Sequence, residues 1–262
     1  MSSQQIVKTI LVTGGTKGIG RAISLRMARA GYNIVLNYHS DRDSAEQTLA
    51  ECRDILAGGA PDAGTDAFLV RADVSDEQDV IRMFKDIRDR FGGVDAVVNN
   101  AGLNLDGPAL EMSEQQWDRV VAVNMKGVFL VAREAGKLML SLGRPGHIIN
   151  ISASTAIAGR KNGVNYCASK AGVIVMTKCL AKELGPHIRV NCLIPGITRT
   201  PEIEARFDLQ RNETAEVKKR AIPLERIGEP FEIAGVIHFL LSAEASYING
   251  QKIIVDGGEY MY

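Results

Sequence analysis

The chain has 262 residues, 45% of them hydrophobic and 24% charged, a length that suits one large α/β domain and an apolar content that excludes a disordered chain. Lys and Arg total 31 and so do Asp and Glu, so the net charge of zero gives no long-range pull toward nucleic acid or an anionic membrane. With no basic-then-apolar leader, no apolar run near the roughly 18 residues of a bilayer span, and no CxxC among four cysteines, the expectation is a reduced, cytoplasmic protein.

Short apolar runs predict strands over 9–12, 33–36, 67–70, 96–98, 147–151, 188–190 and 252–255. They are apolar on both sides, as strands covered by helices on both faces must be. Helix-length segments lie between them, over 19–30, 44–56, 77–90, 114–142, 166–184 and 230–241. This alternation predicts a single-domain, Rossmann-type doubly wound parallel sheet. The Gly-, Ala- and Pro-containing stretch 57–64 reads as a surface loop. The charge-rich region 198–228, at the carboxyl end of a strand, reads as a lid over a site.

The first strand ends in Thr13-Gly14-Gly15-Thr16-Lys17-Gly18-Ile19-Gly20 and then enters a helix. Glycines there let backbone approach a pyrophosphate, which the helix N-terminus attracts. The second strand runs out through Asn37-Tyr38-His39-Ser40, with no acid before Asp41. An acid at that end would bind the adenosine ribose hydroxyls and repel a 2′-phosphate. Its absence, with Lys17 and Arg42 nearby, favours NADP(H) over NAD(H), and Tyr38 and His39 fall at the adenosine end.

Tyr166 and Lys170 are four apart on one predicted helix face. A neighbouring ammonium lowers a phenol's pKa from ~10 toward the range of acid–base work. With the glycine turn, Asp73-Val74, Asn99-Asn100-Ala101-Gly102, Asn124, Pro195-Gly196 and the closing Asn249-Gly250 and Asp256-Gly257-Gly258, the pair resembles the classical short-chain dehydrogenase/reductases over nearly the whole chain. Within that family the chain is most similar to 3-oxoacyl-carrier-protein reductases.

The resemblance implies an oxidoreductase moving hydride between NADP(H) and a carbonyl/secondary alcohol, on a small carbonyl/alcohol or acyl-thioester substrate. Tyr166 would exchange the proton, Lys170 would lower its pKa and hold the nicotinamide ribose, and Asn124 would anchor a proton-relaying water. Thr13, Gly14, Lys17, Gly18, Ile19 and Gly20 would line the pyrophosphate and adenosine end. Asp73 and Val74 would flank the adenine, Asn100, Ala101 and Gly102 the riboses, and Pro195, Gly196, Ile197 and Thr198 the carboxamide. A homotetramer is implied too, pairing the helices at 114–142 and 166–184 across one interface and using the last strand and Glu259-Tyr260-Met261-Tyr262 at another.

One position departs from the family. Thirteen residues before Tyr166, where a substrate-orienting serine is expected, stands Ala153, flanked by Ser152 and Ser154. Ser154 is favoured because it lies farther past the strand, although alternation turns it away from the face of Ala153. Ala153 also keeps open a second reading, a dinucleotide-binding protein with little turnover that senses redox state or serves as a structural subunit. Four scattered histidines argue against a metal, and Glu202, Glu204 and the Lys218-Lys219-Arg220 run read as solvated charge.

Overall fold

The computed structural model describes residues 7–59, 64–207 and 221–261. The tip of the 57–64 loop, the middle of the 198–228 region with its Lys218-Lys219-Arg220 run, and Tyr262 lie outside the described residues. Seven strands form one parallel sheet: β1 (Thr9–Val12), β2 (Asn33–Tyr38), β3 (Ala67–Arg71), β4 (Ala96–Asn99), β5 (Gly146–Ile151), β6 (Ile188–Pro195) and β7 (Lys252–Val255). Their order is β3-β2-β1-β4-β5-β6-β7. The order reverses between β1 and β4, and in such sheets the crevice at that switch point, outside the carboxyl ends of the strands, is where ligands bind.

The helices are α1 (Gly18–Arg29), α2 (Arg42–Ala57), α3 (Glu77–Phe91), α4 (Glu114–Val121), α5 (Gly127–Leu142), α6 (Thr155–Ala158), α7 (Val164–Leu184), α8 (Pro201–Phe207) and α9 (Pro230–Leu241). Strand residues alternate between two cores even though the runs read as continuously apolar. Ile10, Val12, Ile34 and Leu36 pack toward α1 and α9, whereas Leu11, Val35 and Val97 pack toward α3 and α5. Both faces are therefore covered, as the doubly wound reading requires.

β6 runs well past the predicted 188–190. Its interior Asn191 broke the apolar pattern, but the carboxamide donates to the Ile248 carbonyl (2.9 Å) and accepts the Gln251 N–H (3.0 Å), so the amide is buried with partners. The segment 114–142 is not one helix. A π turn at Ala122–Lys126 separates α4 from α5, and extra residues of this kind inside helices gather at functional sites.

The two ends of the 198–228 region meet. Thr198 and Gly228 form a β-bridge, with Arg199 N–H on the Gly228 carbonyl (2.8 Å) and Gly228 N–H on the Ile197 carbonyl (2.9 Å). Helix α8, which the sequence reading left irregular, starts this excursion. Among the described residues, no helix is long and apolar enough to cross a membrane, and no group of three His, Cys, Asp or Glu is placed to hold a metal.

Candidate active site

At the β1/β4 switch point the glycine turn folds against the strand ends. Gly14 (φ +58°) and Gly18 (φ +49°) occupy the left-handed region that glycine adopts freely. A Cβ on Gly20 would stand 2.1 Å from the Gly14 carbonyl oxygen, so only glycine fits there. Helices α2, α3, α4 and α9 close their first turn with a side chain, but α1 has neither a side-chain cap nor an acid in its first turn. Its leading N–H groups therefore open onto the turn, the arrangement that suits an anionic phosphate.

Thr13 and Asn100 brace this turn. Thr13 is buried and lies behind the cavity wall, where its hydroxyl accepts the N–H groups of Asn100 and Ala101 (both 3.0 Å). The Asn100 carboxamide donates to the carbonyls of Thr13 (3.0 Å) and Gly14 (3.1 Å). Thr13 thus supports the cofactor end without lining the cavity. Asp73 is held by Ser75 and Arg119, lies 3.6 Å from His39, and stands with Val74, Tyr38 and His39 outside the cavity lining.

Lys17 forms an ion pair with Asp41, which also caps α2 by accepting the Ser44 N–H (3.0 Å). The Lys17 ammonium, and then the Ser44 N–H, hold the Asp41 carboxyl down at about 2. Arg42 is paired with Glu46. Both cations singled out in the sequence are therefore engaged by carboxylates of their own chain.

Tyr166 and Lys170 both line the cavity from the first turns of α7. Lys170 is buried and its Nζ donates to the Ile151 carbonyl (2.9 Å), standing 5.9 Å from the centroid of the Tyr166 ring. Burial lowers the Lys170 ammonium to about 8. Burial, with the Glu202 carboxylate adding to it, pushes the Tyr166 phenol up to about 12, and the Arg160 guanidinium opposes that push. The cation nearest the ring is Arg160, its Cζ 5.0 Å from the centroid. Arg206 opposes that push as well, and the Lys170 ammonium, to which the sequence gives the pKa-lowering role, is held on the Ile151 carbonyl.

Asn124, in the π turn, does not line the cavity. Its Oδ1 accepts the Leu103 N–H (2.7 Å), and its Nδ2 donates to the Leu103 carbonyl (2.9 Å) and the Ser169 hydroxyl (3.2 Å). Both amide hydrogens are used, so the side chain braces the cavity rim at Leu103.

The serine question narrows. β5 ends at Ile151 and Ser154 already has helical backbone (φ −56°, ψ −36°), so the strand-alternation argument against Ser154 does not apply. The Ser152 hydroxyl donates to the Lys170 carbonyl (2.8 Å) and is committed there. Ser154 lines the cavity, and its hydroxyl has no hydrogen-bond partner among the described residues. The Thr155 hydroxyl, also on the cavity wall, is buried without a partner; the sequence reading did not consider it.

These residues enclose a cavity of about 820 Å³. Its wall includes Gly14, Lys17, Gly18, Ile19, Gly20, Asn100, Ala101 and Gly102, then Ala153, Ser154, Thr155 and Tyr166, and Pro195, Gly196, Ile197 and Thr198. The sequence reading missed Arg160, Glu202, Ile203, Arg206, Glu259 and Tyr260 on this wall. Glu202 and Ile203 share α8, whose short length gave no periodic signal, and Arg160 carried none.

A family model described as Enoyl-(Acyl carrier protein) reductase matches residues 14–259. The chain is 40% identical to the 3-oxoacyl-(acyl-carrier-protein) reductase of Staphylococcus aureus over 258 residues, 98% of this chain and 100% of the relative. It is 39% identical to 3beta-hydroxysteroid dehydrogenase 1 of Eggerthella lenta, covering 97% of this chain and 94% of that protein. The crystal structure of a short-chain dehydrogenase/reductase, glucose/ribitol dehydrogenase, from Brucella melitensis superposes with a TM-score of 0.86 at 33% identity, over 97% of each chain. The family model, the relatives and the sheet agree: the chain belongs to the short-chain dehydrogenase/reductase family and is an oxidoreductase acting on CH–OH and carbonyl groups.

Proposed function

We propose that the chain is an NADP(H)-dependent reductase of 3-oxoacyl thioesters or a closely related carbonyl/secondary-alcohol pair. The observation that carries this is one cavity lined both by the glycine turn at the bare α1 N-terminus and by Tyr166. The cradle fits a dinucleotide: its wall at Gly20 admits no side chain, and α1 offers uncapped N–H groups to a pyrophosphate. Gly14, Lys17, Gly18, Ile19, Gly20, Asn100, Ala101 and Gly102 would hold it, with Thr13, Tyr38, His39, Asp73 and Val74 shaping the adenosine end from behind. Pro195, Gly196, Ile197 and Thr198 would border the nicotinamide. When bound, that coenzyme supplies or accepts the hydride.

The chain's own groups do the rest. Tyr166 donates its phenolic proton to the substrate oxygen in reduction and takes one in oxidation. Lys170, fixed on the Ile151 carbonyl, presents a charged group beside the ribose and replaces the proton on Tyr166. Ser154 orients the substrate oxygen in place of the serine missing at Ala153, with the Thr155 hydroxyl next to it. Helix α8, with Pro201, Glu202, Ile203 and Arg206 on the cavity wall, borders the substrate.

The choice of NADP(H) over NAD(H) rests on the end of β2. Asp41, the first acid there, is turned to cap α2 and to bind Lys17, so no free carboxylate meets a 2′-phosphate. The homotetramer reading is supported by large apolar side chains left exposed on the expected faces: Trp117 and Phe129 on α4 and α5, Val175 on α7, and Met261 near the C-terminus.

The test is coenzyme consumption by the purified protein with NADPH and NADH against a panel of 3-oxoacyl thioesters, ketosteroids and simple ketones. NADPH oxidation fastest with a 3-oxoacyl thioester is expected. No oxidation of either coenzyme with any member of the panel would overturn the reading and leave the low-turnover alternative.

A further inference from the structure

Arg160 lies six positions before Tyr166 and stands over its ring, Cζ to centroid 5.0 Å. Two nitrogens of the guanidinium bind Asp106, Nη2 reaching one carboxylate oxygen at 2.6 Å, and Nη2 also donates to Asn104 Oδ1 at 2.9 Å. Asp106 additionally pairs with Arg206 of α8. A planar fork gripped this way is pre-organised, whereas a surface arginine gives up rotamer freedom for each contact. The grip ties three segments that are remote in sequence: the loop after β4, the loop before α7 and the helix that opens the 198–228 excursion.

The placement coincides with a loss. Ala153 stands where a substrate-orienting serine is expected, Ser152 is spent on the Lys170 carbonyl, and Lys170 Nζ is 5.9 Å from the ring and bonded to Ile151. The charged and titratable groups facing Tyr166 are Lys170 and Cys167 on its own helix, Arg160 from the preceding loop, and Glu202 and Arg206 from α8. Arg160 and Lys170 both stand over the ring, Arg160 the nearer at 5.0 Å against 5.9 Å, and a positive charge there is attracted to the π face and more strongly to the electron-rich phenolate.

We propose that Arg160, clamped by Asp106 and Asn104, is a positioning residue for proton transfer at Tyr166: held over the ring face, it stabilises the phenolate. The proposal rests on the reading of Tyr166 as the proton donor. Arg160 touches the tyrosine and no reacting atom.

The experiment compares wild type, Arg160→Gln, Arg160→Lys and Tyr166→Phe. It reads the pH dependence of kcat/KM for alcohol oxidation and the pH-dependent shift of the Tyr166 Cζ resonance in protein isotopically labelled at tyrosine Cζ. The Tyr166 signal is identified by its loss in Tyr166→Phe. In Arg160→Gln both curves are expected to move up by about one pH unit, so the oxidation rate on the rising limb falls about tenfold. KM should change little. Arg160→Lys keeps the charge without the flat fork and is expected to move less; it also carries the test should the Gln variant fold poorly.

Curves that coincide with wild type in both Arg160 variants would overturn the proposal. Turnover that survives in Tyr166→Phe would instead overturn the proton-donor reading, while the Cζ resonance would still report whether Arg160 acts on the ring.

Discussion

Asn124 takes both backbone groups of Leu103, accepting its N–H at 2.7 Å and donating to its carbonyl at 2.9 Å. The two residues are 21 apart in sequence, and the π turn at Ala122–Lys126 is what turns the carboxamide toward the chain leaving β4. The cavity rim at Gly102 and Leu103 is therefore fixed by one buried side chain. In Asn124→Ala both Leu103 groups lose their partner, at about 1–3 kcal/mol for each buried group left unsatisfied. Urea denaturation should show a loss of about 2–4 kcal/mol. A loss under ~0.5 kcal/mol would mean the rim is held by something else.

The glycine turn gives a steric prediction. A Cβ on Gly20 would meet the Gly14 carbonyl oxygen at 2.1 Å and Asn100 Nδ2 at 2.6 Å, and the first of these is backbone that has nowhere to retreat. Gly20→Ala should abolish coenzyme binding in calorimetry and lower the thermal midpoint. Normal binding by this variant would show that the turn relaxes and is no cradle.

How far was this legible in the sequence? All seven strands were, because parallel strands covered on both faces are apolar without interruption, and the β1 turn followed from its glycines. The break inside 114–142 was hidden, since a one-residue bulge does not disturb an apolar stripe. Tyr166 and Lys170 were found from their four-residue spacing, but spacing places side chains on a face and says nothing of where an ammonium ends, here on the Ile151 carbonyl. The Arg160–Asp106–Arg206 cluster joins residues 54 and 100 apart, and no local pattern announces such a contact.

At the adenosine end, Asp41 and Lys17 compete with any incoming phosphate for each other. Asp41→Asn keeps the α2 cap, because Asn caps as well as Asp, and frees the ammonium. The variant should bind NADPH up to about fivefold more tightly, a small gain because the ion pair it breaks is exposed to solvent. NADH affinity should stay unchanged. Equal changes for both coenzymes would show that Lys17 does not meet the 2′-phosphate.

Far from the site, at the start of β5, burial drops the His147 imidazole to about 4 from the usual 6.5, and its Nδ1 has no partner. The folded chain therefore keeps this ring neutral while the unfolded chain protonates it. As pH falls from about 6.5 to about 4, stability contributed by the neutral ring is lost. Denaturation midpoints measured across that window should fall less in His147→Leu than in wild type. Identical falls would assign the acid sensitivity to other groups.

The central claim is proton transfer by Tyr166 beside a bound nicotinamide coenzyme, and Tyr166→Phe tests it most directly. Coenzyme affinity and coenzyme oxidation are measured on the same preparation with the best substrate of the panel. The expected result is wild-type affinity with turnover reduced by at least about 10²-fold, the scale of positioned acid catalysis. Turnover equal to wild type at equal affinity would contradict it.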